Sequence, residues 1–457
     1  MFKFKAKPKK FISLLKTYPW KDSALSLRYL PQVFSRLEKV SLILLFGMVV
    51  ILTGYIGYRS WLRTTKVMPE SGGVFREGIV GEVKDLDKHI GRLTNAGLTK
   101  YDSEKNIVGD LAQNWEITEN GKVYVFHLRP QFNAEDLASQ ILSKGLWRDI
   151  EISTPEPATI TFRFKQPFSP FLYSSTKPIF NSGPYRISRE SKTEIELSAR
   201  EDFYPGKPYL DKVVLKFYRG KDELLKAAKR GDIDAFCLET DEPAEKNFKK
   251  LEMKLPRELV IFFNLSKEPL KDINIRRALK ESASPGKALE LRLVTSETPE
   301  NVEVAREIAD KWTKNGVKVN LEIKDNVGLQ KTIIPKRDYD VLLYGLDYGE
   351  DPDPYPFWHS SQIKEDGRNL SNFKNLKADR LLEEARQEFD FQKREEKYAE
   401  FQKIIDAEMP AFSVRKEILY WQVSQDILGV NKLVGTSEHD RFLDVAQWYT
   451  NTKRVKK

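Results

Sequence analysis

Cysteine is nearly absent from this 457-residue chain: Cys237, in "IDAFCLE", is the only one. A single thiol forms no internal disulfide and no cysteine metal site, and its strand-like apolar setting reads as a small core residue. Histidine is almost as scarce, with His89, His127, His359 and His439 making four. None stands at HxxxH or HExxH spacing, which argues against a zinc hydrolase. GxSxG is missing, as is GxxxxGK followed by Ser or Thr, so neither a nucleophile elbow nor a phosphate loop is encoded. Six Ser-x-x-Lys pairs, Ser174–Lys177 among them, occur without a Lys-Thr-Gly and amount to chance. There is no internal repeat and no low-complexity tract. These absences point away from an enzyme, and no cofactor or metal is expected.

The formal charge of +9 suggests a nucleic-acid partner until its distribution is read. Residues 1–39 hold ten Lys or Arg against Asp22 and Glu38, a net +8, and Arg59, Arg63 and Lys66 add +3. Residues 67–457 are therefore at −2, and no nucleic-acid partner is expected. The basic lead also carries Phe2, Phe4, Phe11 and Trp20, a pattern suited to a membrane surface.

Between the basic stretches lies "VSLILLFGMVVILTGYIGY", Val40–Tyr58, without a charge. At about 1.5 Å per residue, such a helix nearly crosses a hydrocarbon core of about 30 Å. Tyr55, Tyr58 and Trp61 suit the far interface. The lead is too long for a cleaved signal peptide and no small-x-small site follows. The segment reads as an uncleaved anchor at the cell membrane. Basic residues before the span keep the N-terminus cytoplasmic and send residues 67–457 outside.

The outer part mixes strands and helices. "KVYVFHLRP" and "ATITFRFKQP" alternate as half-buried strands do. "YLDKVVLKFYRGKDELLKAAKRGDIDAFCLE" reads strand, helix, strand, with Gly231 at the left-handed C′ position. From Ala288 the order repeats: "LELRLVT", a helix after Thr298 and Pro299 with the stripe Val302, Ala305, Ala309 and Trp312, then "VKVNLEI" and "YDVLLYG". This order implies a parallel sheet with right-handed crossovers, whose ligands bind beyond the carboxyl ends of the strands. Two amphipathic helices, "LKADRLLEEARQEFD" and "QKREEKYAEFQKIIDAEMP", precede a return to strand in "AFSVRKEILYWQVSQ".

Directly after "YDVLLY" comes "GLDYGEDPDPYPFWHSS", Gly345–Ser361, with Asp347, Glu350, Asp351 and Asp353 among three prolines. A glycosidase pair normally comes from separate strands with one acid in an apolar pocket, which one stiff loop does not provide. The spacing of a calcium loop is missing as well. A ligand-binding lip and a rigid acidic turn are the readings that remain.

Several stretches, in order, resemble one family. "LTNAGLTKYDSEKNIVGDLAQNWEITENGKVYVFHLRP", "FNAEDLASQI", "NSGPYRI", "AREDFYPGKPYLDKVVLKFY", "KAAKRGDIDAF", "INIRRAL", "DYDVLLYGLDYGEDPDPYPFW" and "GRNLSNFKN" are similar to successive motifs of the family 5 substrate-binding proteins of ABC importers, receptors for dipeptides, oligopeptides and nickel. The likeness spans roughly residues 75–430. Two family segments are shortened, the loop after the Leu-Arg motif and the stretch after "IRRAL".

The resemblance implies an α/β, two-lobe periplasmic-binding-protein-like fold (type II, extended class) with a hinge cleft, here preceded by a single transmembrane helix. The expected division is a basic cytoplasmic segment 1–39, anchor 40–58, stalk 59–73, first lobe 74–265 plus 411–453, and second lobe 266–410. Peptide-binding members pair an aspartate of the acidic loop with the ligand's ammonium. Asp347 matches it, although its spacing to Asp351 and Pro352 is one residue longer, so Tyr348 or Glu350 is an alternative. Phe357 and Trp358 supply either an apolar wall or the core under the loop, and Asn369 and Tyr420 match ligand-proximal positions. The implied partners are a peptide or other small solute, ABC permease and ATPase subunits, and the membrane through helix 40–58. The alternatives are a sensor or assembly protein that keeps the fold without transport, and a receptor for a non-peptide solute.

Overall fold

The computed structural model describes residues 35–351 and 353–456, so most of the basic segment expected over 1–39 lies outside the described residues. Ser35 opens the first helix with a capping box: its hydroxyl accepts from Glu38 N while the Glu38 carboxylate accepts from Ser35 N. This pairing satisfies two donors that a helix start leaves open. The helix runs Arg36–Thr64, 29 residues with none buried. It is long and apolar enough to cross a membrane. Within the expected stalk, Thr65–Glu70 forms a strand, which pairs with the strand Asn451–Lys456. The chain divides into two compact units, one holding this helix and the residues beyond Asn451, the other Pro69–Asn451.

The second unit is built on a ten-stranded sheet: β1 Val74–Val80, β2 Tyr185–Glu190, β3 Glu194–Ala199, β4 Lys212–Tyr218, β5 Ala235–Leu238, β6 Phe248–Phe263, β7 Leu289–Ser296, β8 Val317–Lys324, β9 Val341–Asp347 and β10 Ala411–Ser424. Their spatial order is β8-β7-β9-β6-β10-β5-β1-β4-β3-β2. β7 pairs in parallel with β8 and β9, and β1 in parallel with β4 and β5. These are the crossovers that the strand–helix–strand spacing predicts. The chain has the α/β two-lobe periplasmic-binding-protein fold.

Local sequence explains the connecting helices. Lys221–Arg230 ends on Gly231 at φ 75°, the left-handed position glycine adopts at low cost. Helix Pro299–Lys314 buries Val304, Ala305, Ile308 and Trp312, a face rotated from the expected stripe, since Val302 and Ala309 are only half-buried. Trp312 also donates its indole N–H to Leu279 O at 2.8 Å. Burying each large apolar chain on this face contributes about 1.5–3 kcal/mol.

β6 and β10 are the longest strands, at 16 and 14 residues, and they join the two halves of the sheet. Their antiparallel ladder is interrupted between Lys254 and Glu258, where Leu255, Pro256 and Arg257 stand opposite Glu417. Pro256 has no N–H to give the ladder, so a bulge forms there. A separate antiparallel sheet, Ala112–Thr118, Val123–Leu128, Thr159–Arg163 and Glu151–Glu156 in that spatial order, carries its own core around Tyr124, Phe126, Phe162 and Phe171. One feature had no sequence signal: Glu77 of β1 and Arg441, both fully buried, pair at 2.6 Å.

Candidate functional site

The bulge in β6 turns Arg257 toward the end of β9. Arg257 lies opposite Asp347 in the β6–β9 ladder, and its Nε meets the Asp347 carboxylate at 3.2 Å. Its Nη1 reaches Glu417 of β10 at 3.1 Å and Glu438 at 2.7 Å, while Nη2 holds the second Glu438 oxygen at 3.1 Å. One guanidinium therefore serves three carboxylates from three parts of the chain. Burial pushes Glu438 up, but the fork of hydrogen bonds from Arg257 outweighs it and holds the carboxyl down to about 2. For Glu417, burial wins over the same arginine and the carboxyl is raised.

The acidic loop hangs from this point. The bulge leaves the Pro256 carbonyl free to accept from Tyr348 N at 2.9 Å, and the Tyr348 hydroxyl donates to Glu258 at 2.8 Å. Asp347 caps the turn by accepting from Gly349 N at 2.9 Å, and Gly349 takes φ 72°. The side chain of Asp347 is 58% exposed, so its carboxylate remains open to solvent. Glu350 then meets the first part of the chain: its carbonyl accepts from Tyr101 OH at 3.1 Å and its carboxylate stands 3.9 Å from Lys177 Nζ.

The next two acids turn inward. Asp351 is buried with both oxygens 2.7–2.8 Å from Nη2 of Arg394. Burial pushes its carboxyl up to about 6, against the pull of that arginine. The Arg394 guanidinium also sits 4.9 Å from the Tyr173 ring and 5.0 Å from that of Tyr398. Asp353 pairs with Arg386 at 2.7 Å, and Arg386 lies 3.7 Å over the ring of Tyr355. Arg386 O accepts from Ser169 N at 2.8 Å, a second tie between the loop's supporting helix and the earlier part of the chain.

The other expected residues lie apart from Asp347. Phe357 and Trp358 are each 6% exposed, within the apolar cluster under the loop that includes Phe262, Leu342 and Phe373. Asn369 is fully buried, its amide donating to the carbonyls of Trp358, His359 and Phe373 at 2.9–3.2 Å. That amide holds together the turn after the loop. Tyr420 stands on the far half of β10, opposite Leu238 of β5, with Lys250 Nζ 5.6 Å from its ring. No local pattern in the sequence marks Arg257, Glu417, Glu438, Arg386 or Arg394 as part of this cluster. The one available signal is Pro256 breaking the long strand "LEMKLPRELVIFF".

A cavity of about 350 Å³ opens elsewhere in this unit, lined by Arg92, Lys100, Asp110, Gly183, Tyr204 and Lys207 among others. None of the expected residues lines it. Its charges are answered within the protein: Arg92 pairs with Asp440 at 2.6 Å, Lys100 with Asp110 at 3.7 Å and Lys207 with Glu201 at 2.6 Å.

Comparison with known proteins adds to this geometry. Residues 106–283 match the model of "Bacterial extracellular solute-binding proteins, family 5 Middle". A probable D,D-dipeptide-binding periplasmic protein, DdpA of Escherichia coli K12, is 24% identical over 411 residues, covering 67% of this chain and 79% of that one. The oligopeptide-binding protein AppA of Bacillus subtilis, solved with a nonapeptide, has TM-score 0.61 at 18% identity, covering 84% of this chain and 99% of that one. NikZ of Campylobacter jejuni, solved with Ni(L-His), has TM-score 0.62 at 19% identity, covering 82% and 99%.

Proposed function

We propose, from the premise that this chain belongs to family 5 of the bacterial extracellular solute-binding proteins, that it is a membrane-anchored receptor for peptides. In this reading the helix Arg36–Thr64 spans the membrane, and residues 67–457 capture a peptide in a cleft between two lobes. Lobe I comprises 74–265 with 411–453 and lobe II 266–410. The receptor hands its cargo to the permease and ATPase subunits of an ABC importer, and performs no catalysis itself.

One observation carries the reading. The acidic loop at the carboxyl end of β9 presents Asp347 to solvent while Glu350, three residues on, touches Tyr101 and Lys177, residues that this reading assigns to lobe I. A carboxylate beside an interlobe contact is suited to the ammonium of a peptide enclosed on closure, because a charge taken out of water needs a charge-assisted partner. Tyr348 and Glu350 flank that carboxylate; Asp351, Phe357, Trp358 and Asn369 support the loop from below. Tyr420 would approach the ligand from β10.

Native mass spectrometry of gently purified residues 67–457 tests this. Bound masses forming a ladder of short peptides support it. A bare protein that gives no thermal shift with a peptide pool refutes it.

Arg257 favours a second reading. It already answers Asp347 at 3.2 Å, which suits a solute without an ammonium group, such as an anionic or metal-chelate ligand. Thermal shifts with such solutes but not with peptides would select this reading.

A further inference from the structure

The membrane reading leaves one group of side chains without a role. Up to and within the strand Thr65–Glu70 the chain carries Arg59, Arg63 and Lys66, and the strand Asn451–Lys456 adds Lys453, Arg454 and Lys456, against one acid, Glu70, at the end of the first strand farther from the helix. The pairing of strand Thr65–Glu70 with strand Asn451–Lys456 brings these two stretches, some 390 residues apart in sequence, to the end of the apolar helix. Arg454 fixes the junction. Its Nη1 donates to Thr65 Oγ1 at 3.1 Å, Thr65 Oγ1 in turn donates to Trp61 O at 2.6 Å, and the guanidinium lies 4.8 Å from the Trp61 ring.

Depth follows from chemistry. Tyr55, Tyr58 and Trp61 form an aromatic band at the end of the uncharged run, with Tyr58 and Trp61 stacked at 6.1 Å. Such rings settle at the headgroup level of a bilayer. A guanidinium 4.8 Å from Trp61 then lies at the same level. Lys456, two residues along the strand, points to the same side as Arg454. Arg63, Lys66 and Lys456 are all exposed. Long basic side chains on such a ring reach phosphate oxygens while their stems remain over apolar surface.

We infer that the paired strands form a basic collar that binds the phosphates of anionic phospholipids around the emerging helix. The collar would hold the segment joining anchor and receptor against the bilayer rather than leaving it a free tether. This inference rests on the membrane reading of the helix, not on the peptide reading of the loop.

The test uses the full chain, reconstituted in nanodiscs of equal phosphatidylcholine and phosphatidylglycerol. Native mass spectrometry then counts the lipids that stay with the protein after the disc is stripped. Phosphatidylglycerol is expected to be enriched about fivefold over the bulk ratio, the partition one surface basic residue supplies. The triple variant Lys66→Gln, Arg454→Gln, Lys456→Gln should lower the enrichment toward the bulk ratio, with Arg59 and Arg63 left to hold the remainder. In the unaltered chain, high salt should do the same by screening, which removes any dependence on how the variant folds. A bulk ratio in the unaltered chain, or an enrichment indifferent to both substitution and salt, overturns the collar. Failure of the chain to insert into pure phosphatidylcholine overturns the membrane reading and the collar together.

Discussion

Replacing Arg257 by glutamine removes the one cation shared by Asp347, Glu417 and Glu438. Most of the expected loss comes from Glu438, because its side chain is 19% exposed while those of Glu417 and Asp347 are 47% and 58% exposed. Exposed pairs contribute about 0–1 kcal/mol. Holding Glu438 at about 2 rather than its ordinary 4.5 corresponds to about 3 kcal/mol, the larger part from Arg257 and the rest from its own backbone N–H and nearby His89. Allowing for partial solvation, Arg257→Gln should cost the compact unit 69–451 about 2–3 kcal/mol at neutral pH.

The sign with pH is fixed. A depressed carboxyl stabilises the fold above its unfolded value, and that contribution is lost as the pH falls through the folded one. The difference between wild type and variant should therefore be largest above about 4.5 and shrink toward about 2. Denaturant unfolding of both proteins at a series of pH values measures it, with equal m-values as the check that the denatured state is unchanged. A cost below about 1 kcal/mol at neutral pH, or one indifferent to pH, refutes the assignment of Glu438 to this arginine.

Three further predictions concern the loop and its frame. Asp347→Asn should thin a bound peptide ladder in native mass spectrometry while moving stability by less than about 0.5 kcal/mol, since the side chain is mostly exposed; an unchanged ladder counts against Asp347 as the ammonium partner. Arg394→Met leaves Asp351 buried and unpaired, so it should cost about 3–5 kcal/mol, with much of that recovered by adding Asp351→Asn. Equal melting of the single and double variants would show that the pair is not coupled. In Gly183→Ala the new methyl meets the backbone of Thr94 and Asn95, and the clash should cost about 2–3 kcal/mol in denaturant unfolding. A loss under about 0.5 kcal/mol would mean that this crossing of chains gives way easily.

Gly183 illustrates how far local sequence reaches. It is legible as part of "NSGPYRI", a motif of the resemblance, but the reason a glycine stands there is a neighbouring main chain 89 residues earlier, where the Thr94 carbonyl accepts from Gly183 N at 2.9 Å. The helices at 221–230, 299–314, 376–387 and 391–408 were readable because caps, apolar spacing and C-terminal glycines act within a few residues. Apolar spacing identifies only Ala305 and Trp312 of the face that helix 299–314 buries. Its orientation depends on what packs against it.

The long uncharged run, the alternation of strands and helices, the order of family motifs and an acidic loop after β9 were all determined by the sequence itself, because each depends on near neighbours along the chain. Only the tertiary structure decided which acids of that loop face outward. Asp351 and Asp353 are drawn inward by Arg394 and Arg386, 43 and 33 residues away, while Asp347 is left exposed beside Arg257, 90 residues earlier. Nor does any local pattern announce that Thr65–Glu70 finds its partner at Asn451–Lys456. An ion pair or a strand pairing is chosen by the fold that brings distant groups together, and a carboxylate's neighbours in space are not its neighbours in sequence.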